Sequence, residues 1–135
     1  MAHKKDTLSA LLAEALAPGL GPGEDVLAWT LAIVAGHPEV AAALLGPAGL
    51  AMQNWCFVVL TNERVVLVGA SPMNWRPTQV LLGVPRTQAR VEVLDRGLFT
   101  RARFTDGAGT VVPLKVQRRW RPDLEDVVRR LDATA

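Results

Sequence analysis

The residues with the clearest chemical potential are the basic side chains in the second half of the chain. Between Arg76 and Arg121 there are ten basic and three acidic residues, a net charge of +7, although the whole chain carries only +2. A guanidinium group can bind a phosphate through two parallel hydrogen bonds, and a neighbouring tryptophan such as Trp120 is suited to the interface of a lipid bilayer. The set that could form an anion-binding or lipid-binding patch is Arg90, Arg101, Arg103, Lys115, Arg118, Arg119 and Arg121. The alternative interpretation is a solvated basic sheet face, with Trp120 packed under the last helix.

The other residue types that could do chemistry lack partners at a recognisable spacing. His3 and His37 belong to no metal-binding or catalytic motif. Ser9 and Ser71 have no nucleophile context. The glycine-rich Gly19–Gly23 segment precedes a predicted strand, not a helix, and lacks the Lys and Ser or Thr of a phosphate-binding loop. The sequence therefore predicts no catalytic residues, no cofactor, no metal and no small-molecule substrate.

Length and composition fit one domain. The chain has 135 residues, of which half are hydrophobic. Its one cysteine, Cys56, excludes an intrachain disulfide, and its apolar neighbours predict a small buried hydrophobe in a reducing compartment. No apolar run reaches the roughly 18 residues of a membrane span, and the basic start is not followed by a convincing cleavage site. We expect a cytoplasmic protein, peripheral to the inner membrane face if the basic patch binds lipid.

The segment around which the other elements are organised is WCFVVLTNERVVLVG, residues 55–69. Two apolar runs rich in β-branched and aromatic residues flank a polar turn, which predicts a buried β-hairpin. A strand at 26–35 is predicted before it, with Leu27 and alternate residues on the core face. Pro77 predicts an edge position or a late strand start, and Pro113 predicts an edge strand. Four further strands are predicted at 75–82, 87–94, 98–105 and 110–117, with a kink at 83–86.

Two amphipathic helices are predicted outside the strands. Thr7–Ala17 places four leucines on one stripe, and the segment after Pro122 places an apolar stripe at i, i+3, i+4 and i+7. The predicted core combines the strand faces with this last helix. Its members are Leu27, Trp29, Leu31, Phe57, Val59, Val66, Val68, Leu81, Val91, Val93, Phe104, Val112, Leu114, Leu124, Val128 and Leu131.

The connection at 36–53 is long and contains no lysine or arginine. One interpretation is a small helix that plugs one end of the barrel. The other is an exposed apolar loop that meets a second subunit or a membrane. The N-terminal helix allows a similar choice between packing on its own domain and docking elsewhere. Together they give a candidate interaction surface of Leu8, Leu11, Leu12, Val40, Leu44, Leu45, Leu50 and Met52.

Two short motifs carry a family resemblance. Glu24–Ala28, preceded by Gly23, resembles the opening GE-x-V-L strand of bacterial pleckstrin-homology (PH) domains and the related GRAM domains. Leu60–Val65 resembles their central LT-x-x-R-L hairpin, with Val65 in place of the usual leucine. The resemblance covers about residues 23–132, including the Asp106–Gly109 turn and the closing helix. It implies a mainly β (α+β) fold: a PH-like, seven-stranded, partly open antiparallel barrel with a C-terminal amphipathic helix and, in this chain, an extra N-terminal helix.

The resemblance implies a binding module and not an enzyme. We expect an N-terminal helix and linker at 1–22 and the PH-like domain at 23–135. The favoured function is protein–protein interaction, including homo-oligomerisation. The alternative is peripheral binding to anionic phospholipid headgroups through the basic patch, although lipid-binding members usually carry basic residues on the loop that here is 36–53. Nucleic acid is not favoured, because exposed aromatic residues among the basic ones are scarce.

Overall fold

The structure is a computed structural model that describes residues 2–34, 55–71 and 75–133. It contains two α-helices, two 3₁₀ turns and seven strands within those ranges. In chain order they are helix α1 (Ala2–Leu16), a 3₁₀ turn (Ala17–Gly19), β1 (Val26–Val34), β2 (Trp55–Thr61), β3 (Arg64–Ala70), β4 (Pro77–Pro85), β5 (Arg90–Arg96), β6 (Phe99–Thr105), β7 (Val111–Gln117), a second 3₁₀ turn (Arg118–Trp120) and helix α2 (Arg121–Asp132).

The strands form one antiparallel sheet in the order β4-β3-β2-β1-β7-β6-β5. Strands β4 and β5 are therefore the two edges, which confirms the edge position predicted from Pro77. The edge position predicted from Pro113 is wrong, because β7 pairs with both β1 and β6. In the described part of the chain, β7 pairs with β1 only at Lys115 and Leu114. Pro113 is the register partner of Arg103 in β6, so the proline removes one backbone donor without making β7 an edge.

The predicted strand boundaries are wrong on either side of the turn between β4 and β5. Strand β4 continues to Pro85, so the predicted kink at 83–86 lies mostly within the strand. A turn then delays β5, because the amides of Gln88 and Ala89 both donate hydrogen bonds to the carbonyl of Pro85. Strand β5 consequently begins at Arg90 and not at Thr87.

The β2–β3 hairpin lies at the centre of the core, as its composition predicts. Every residue of β2 after Trp55 and every residue of β3 after Arg64 is buried. Helix α2 packs against β1 and buries Leu124, Val127 and Leu131. Such continuous burial requires cover on both faces of the hairpin, which accounts for its nearly unbroken apolar sequence.

Most of the predicted core is confirmed. Leu81, Val93 and Val128 are half-buried and pack against the core, while Leu27 is wrongly placed in it and is 38% exposed. The register between β1 and β2 shifts between Val26 and Ala28, so Leu27 falls outside the alternation that buries its neighbours. The fully confirmed members are Trp29, Leu31, Phe57, Val59, Val66, Val68, Val91, Phe104, Val112, Leu114, Leu124 and Leu131.

Helix α1 begins at Ala2, earlier than the predicted Thr7, and packs on its own domain. Leu8, Leu12 and Leu16 belong to the same buried cluster as the sheet. The side chain of Ser9 accepts a hydrogen bond of 2.8 Å from the indole nitrogen of Trp29. The helix is therefore part of the folded core in this structure.

Candidate interaction surfaces

The two short motifs meet in one buried network. Glu24 is only 6% exposed, and its carboxylate accepts hydrogen bonds from Arg64 Nε at 2.9 Å and Thr61 Oγ1 at 2.6 Å. The amide of Gly21 donates to the other carboxylate oxygen at 3.0 Å. Burial alone would raise the pKa of Glu24, but the hydrogen bonds from Arg64, Thr61 and Gly21 outweigh it and lower the pKa to about 2.

The rest of the motif fixes the linker before β1. Arg64 also donates to the carbonyl of Gly19 at 2.6 Å. The side-chain amide of Asn62 donates to the carbonyl of Gly23, and its oxygen accepts from the amide of Asp25, both at 2.8 Å. Thr61 Oγ1 also accepts hydrogen bonds from two amides of its own turn. The motif residues therefore hold the N-terminal segment against the β2–β3 turn.

Four residues of the predicted anion patch lie on the outward face of β5, β6 and β7. Arg101 of β6 is the cross-strand neighbour of Lys115 in β7. On its other side it forms an ion pair of 3.5 Å with Asp95 of β5. Arg103 pairs with Glu92 of β5 at 2.7 Å. Arg90 extends the same face. Positive and negative side chains therefore alternate here, so this face is less strongly basic than the sequence alone indicates.

The remaining three predicted patch residues have different surroundings. Arg118 is exposed. The guanidinium of Arg119 stacks at 5.5 Å from the Trp75 ring centroid and 5.2 Å from that of Trp120. Arg121 donates to Thr100 Oγ1 at 2.7 Å and to the carbonyl of Gly97 at 2.9 Å. Arg119 and Arg121 are thus engaged within the fold.

Trp120 is buried, so of the two interpretations the one that packs it inside the fold is confirmed and its placement at a lipid interface is wrong. Its ring lies 5.5 Å from that of Trp29 and 6.2 Å from that of Trp75, which in turn lies 5.7 Å from Trp55. The tryptophans therefore form one array across the interior, and Trp75 within it has a positive φ of 59°. Aromatic contacts of this kind stabilise the fold beyond simple burial, and they anchor the start of α2.

The predicted apolar interaction surface is only partly described. Leu8 and Leu12 are buried within the domain, which corrects their assignment to an exposed surface, and Leu11 is half-buried. The leucines face inward because the apolar stripe of α1 covers the sheet. The other members lie outside the described residues: Val40, Leu44, Leu45, Leu50 and Met52. The choice between a plug and an exposed loop at 36–53 lies outside them as well.

A cleft between the edge strand β5 and helix α2 was not predicted from the sequence. Its volume is about 400 Å³. The β5 side is polar at its rim and apolar at its floor, and the helix adds Val128 and Asp132. Its lining residues are Arg90, Val91, Glu92, Val93, Arg96, Thr105, Val128 and Asp132. No sequence pattern points to it, because it depends on how α2 lies along the sheet edge.

The described residues hold no other chemical centre. Cys56 is fully buried, as predicted, and burial raises the pKa of its thiol to about 12. Within 2–34, 55–71 and 75–133, no cluster of three or more His, Cys, Asp or Glu side chains is arranged to hold a metal ion. Neither helix of the described chain is long and apolar enough to span a membrane.

Comparison with known proteins bears on the fold. No protein-family model and no curated protein matches the sequence. The crystal structure of a pleckstrin homology domain from Shewanella amazonensis SB2B is similar, with a TM-score of 0.51 over 90% of this chain and 96% of that chain. The fold is pleckstrin-homology-like. At 13% sequence identity the likeness concerns the fold alone. It confirms the predicted PH-like architecture of seven antiparallel strands closed by a C-terminal helix.

Proposed function

We propose that this PH-like domain is a non-catalytic protein-binding module that takes an extended segment of its partner at the edge of β5. The observation that carries the proposal is the cleft between β5 and α2. Among the residues that the structure describes, β5 pairs only with β6 and is therefore an edge strand. Its other side presents main-chain donors and acceptors to which a partner strand can be added.

The lining of the cleft indicates what the segment should contain. Val93 and Val128 are half-buried and offer a small apolar contact, which would take alternate apolar side chains of an extended peptide. Arg90 at the rim is exposed and would favour an acidic residue in the partner. Arg96 already pairs with Glu125 at 3.0 Å, so it contributes less charge. The expected ligand is therefore an extended, alternating segment with an acidic residue.

The proposal is tested by selecting peptides from a random display library on the full chain and measuring their affinity for variants. Val128→Trp should fill the cleft and weaken the selected peptides at least about tenfold. Arg129→Trp places the same ring on the exposed side of the same helix and should leave the affinity unchanged. Equal affinity for parent and Val128→Trp, with both variants folded, would exclude the cleft as the binding site.

Self-association is distinguished by sedimentation equilibrium of the protein alone. If the partner segment belongs to a second copy of the chain, the parent should show a concentration-dependent mass that a selected peptide suppresses. Val128→Trp should then be monomeric at the same concentrations, and Arg129→Trp should behave as the parent. A monomeric parent that binds selected peptides assigns the cleft to a foreign partner.

A further inference from the structure

The hairpin that joins β5 to β6 ends in exposed apolar side chains. We define the apolar tip as Leu94, Leu98 and Phe99, of which Leu98 is 82% exposed. Residues at such turns are usually Gly, Asn, Asp, Ser or Pro, because their backbones accept the turn and water solvates their polar groups. Three exposed large hydrophobic residues on one hairpin therefore indicate a contact surface.

The apolar tip continues the proposed peptide cleft along the same strand. Leu94 lies between Val93 and Arg96 in sequence, and both of these residues line the cleft. The register between β5 and β6 shifts between Val93 and Asp95, so Leu94 is the extra residue of a β-bulge. A bulge bends its strand and increases the local twist. We therefore expect a segment added to the regular part of β5 to leave the edge at Leu94 and run towards the turn.

Hydrogen bonds from Arg121 fix the turn of the apolar tip. The guanidinium donates to the hydroxyl of the buried Thr100 and to the carbonyl of Gly97. Within the turn, the amide of Gly97 donates to the carbonyl of Phe99 at 3.2 Å. Leu98 is thus presented on a preorganised turn, so a partner need not order the hairpin on binding.

Basic side chains of β6, β7 and the following 3₁₀ turn lie beside the apolar tip. The ammonium of Lys115 is 5.7 Å from the ring centroid of Phe99, and Lys115 is the cross-strand neighbour of Arg101. Phe99 is the register partner of the last residue of β7, which brings the exposed Arg118 to the same end of the sheet. Asp95 pairs with Arg101 at 3.5 Å and offsets one of these charges. The surroundings of the tip therefore carry a net positive charge, which favours acidic residues in a partner.

We propose that the protein segment bound in the cleft extends beyond it and places an apolar residue, followed by acidic residues, on the apolar tip. This inference rests on the proposed function, because the tip is a second subsite for the same segment. The apolar tip covers the partner's apolar side chain, and Arg118 and Lys115 pair with its carboxylates. The full ligand has a strand-forming part in the cleft and an apolar-acidic continuation beyond Arg96.

The cleft alone offers little apolar surface to a partner. Val93 and Val128 are half-buried, and most of the other lining residues are polar or charged. A specific protein interface usually contains a few apolar anchors that contribute most of the binding energy, surrounded by polar contacts. The apolar tip supplies such anchors outside the cleft. The affinity of the partner should therefore depend on Leu98, a residue that the cleft-bound part of the segment does not contact.

The test extends a peptide that has already been selected on the full chain. About six randomised residues, which span roughly 20 Å when extended, are added at each end in turn, and the selection is repeated. Only one end should enrich, with an apolar residue followed by Asp or Glu. The long peptide should bind at least about tenfold more tightly than the short one. Raised salt should reduce this gain, because it screens the acidic residues from Arg118 and Lys115.

Variants of the chain assign the gain in affinity to the apolar tip. With Leu98→Ser, the long peptide should bind only as well as the short one, whose own affinity should stay unchanged. Arg118→Gln should remove part of the gain in the same way. Val80→Ser changes another exposed hydrophobic residue, on the opposite edge strand β4, and should leave both affinities unchanged. An equal gain for the parent and a folded Leu98→Ser variant would overturn the inference, and so would a selection in which neither end enriches.

Failure of this inference is distinguishable from failure of the proposed function. Val128→Trp should weaken both peptides, since it fills the cleft that they share. If it does so while Leu98→Ser weakens neither, the cleft is the binding site and the tip is no part of it. If Val128→Trp weakens neither peptide, the proposed function fails and the tip continues no cleft-bound segment. If Leu98→Ser alters only self-association or vesicle binding, the tip belongs to a second copy or a bilayer, and the inference is overturned.

Discussion

Glu24 and Arg64 are separated by 40 residues in sequence, yet the Arg64 guanidinium donates to the Glu24 carboxylate at 2.9 Å. Their side chains are unequally exposed, 2% for Glu24 and 33% for Arg64. Each belongs to one of the two motifs that resemble PH-like domains. The pair therefore gives these motifs a structural role, because it holds the segment between α1 and β1 against the β2–β3 turn.

Removing the Glu24 charge should destabilise the fold. Glu24→Gln leaves Arg64 without its carboxylate partner in a partly buried site, and we expect the free energy of unfolding to fall by about 2–3 kcal/mol. Urea denaturation at neutral pH measures this change. Glu92→Gln is the matched control, because it breaks an ion pair with Arg103 in which both side chains are exposed. It should cost at most about 1 kcal/mol. Equal losses in the two variants would contradict the structural role of Glu24.

The Glu24 carboxylate should make the free energy of unfolding depend on pH below neutrality. The pKa of Glu24 is lowered from 4.5 to about 2 in the folded chain, so the unfolded chain binds this proton more readily. The stabilisation is fully present above the unfolded pKa and is lost as the pH falls from 4.5 towards 2. It amounts to about 3 kcal/mol at most. In urea titrations at successive pH values, the stability difference between parent and Glu24→Gln should shrink across this window. A difference that stays constant would show that Glu24 has an ordinary pKa.

The sequence predicted the strands well because their patterns are local. Alternating residues on β5, β6 and β7 face inward and outward as expected, and the unbroken apolar runs of β2 and β3 are buried. Pro113 misled the prediction, because a proline removes one hydrogen-bond donor from its strand but does not show whether another strand lies alongside. Leu27 misled it because a register shift in β1 cannot be seen in the alternation itself.

The surfaces were harder to predict because they depend on distant neighbours. Arg119 and Arg121 look like free cations in the sequence, but one stacks on Trp75 and Trp120 and the other bonds to Gly97 and Thr100. The cleft exists only because α2 lies beside β5. Leu98 did leave a signal, since an apolar residue directly after the Asp95–Gly97 turn is out of place in a solvated loop.

Helix α1 should contribute to stability although it precedes the predicted domain. Leu12 is 1% exposed, so Leu12→Ala should lower the free energy of unfolding by about 2–4 kcal/mol through lost burial and a residual cavity. Leu98→Ala makes the same change at an exposed site and should alter stability by less than about 0.5 kcal/mol. Thermal or urea unfolding compares the two. If α1 did not pack on the domain, Leu12→Ala would leave the free energy of unfolding nearly unchanged.

The thiol of Cys56 should be inert in the native protein. It is fully buried, and burial raises its pKa to about 12, so almost no thiolate is present at neutral pH. A disulfide reagent such as dithionitrobenzoate should react with it only at the rate of unfolding, and rapidly in denaturant. Prompt stoichiometric reaction under native conditions would contradict the burial of this strand.

The central claim is that a partner segment is added to the edge of β5, and amide hydrogen exchange tests it most directly. With a selected peptide bound, exchange should slow at amides of Arg90–Arg96 that face away from β6, because the partner strand accepts their hydrogen bonds. Amides of the opposite edge strand β4 serve as the internal control and should exchange at the same rate with and without peptide. Protection confined to β5 and the facing residues of α2 is the predicted result. Protection elsewhere, with β5 unchanged, would contradict strand addition at this edge.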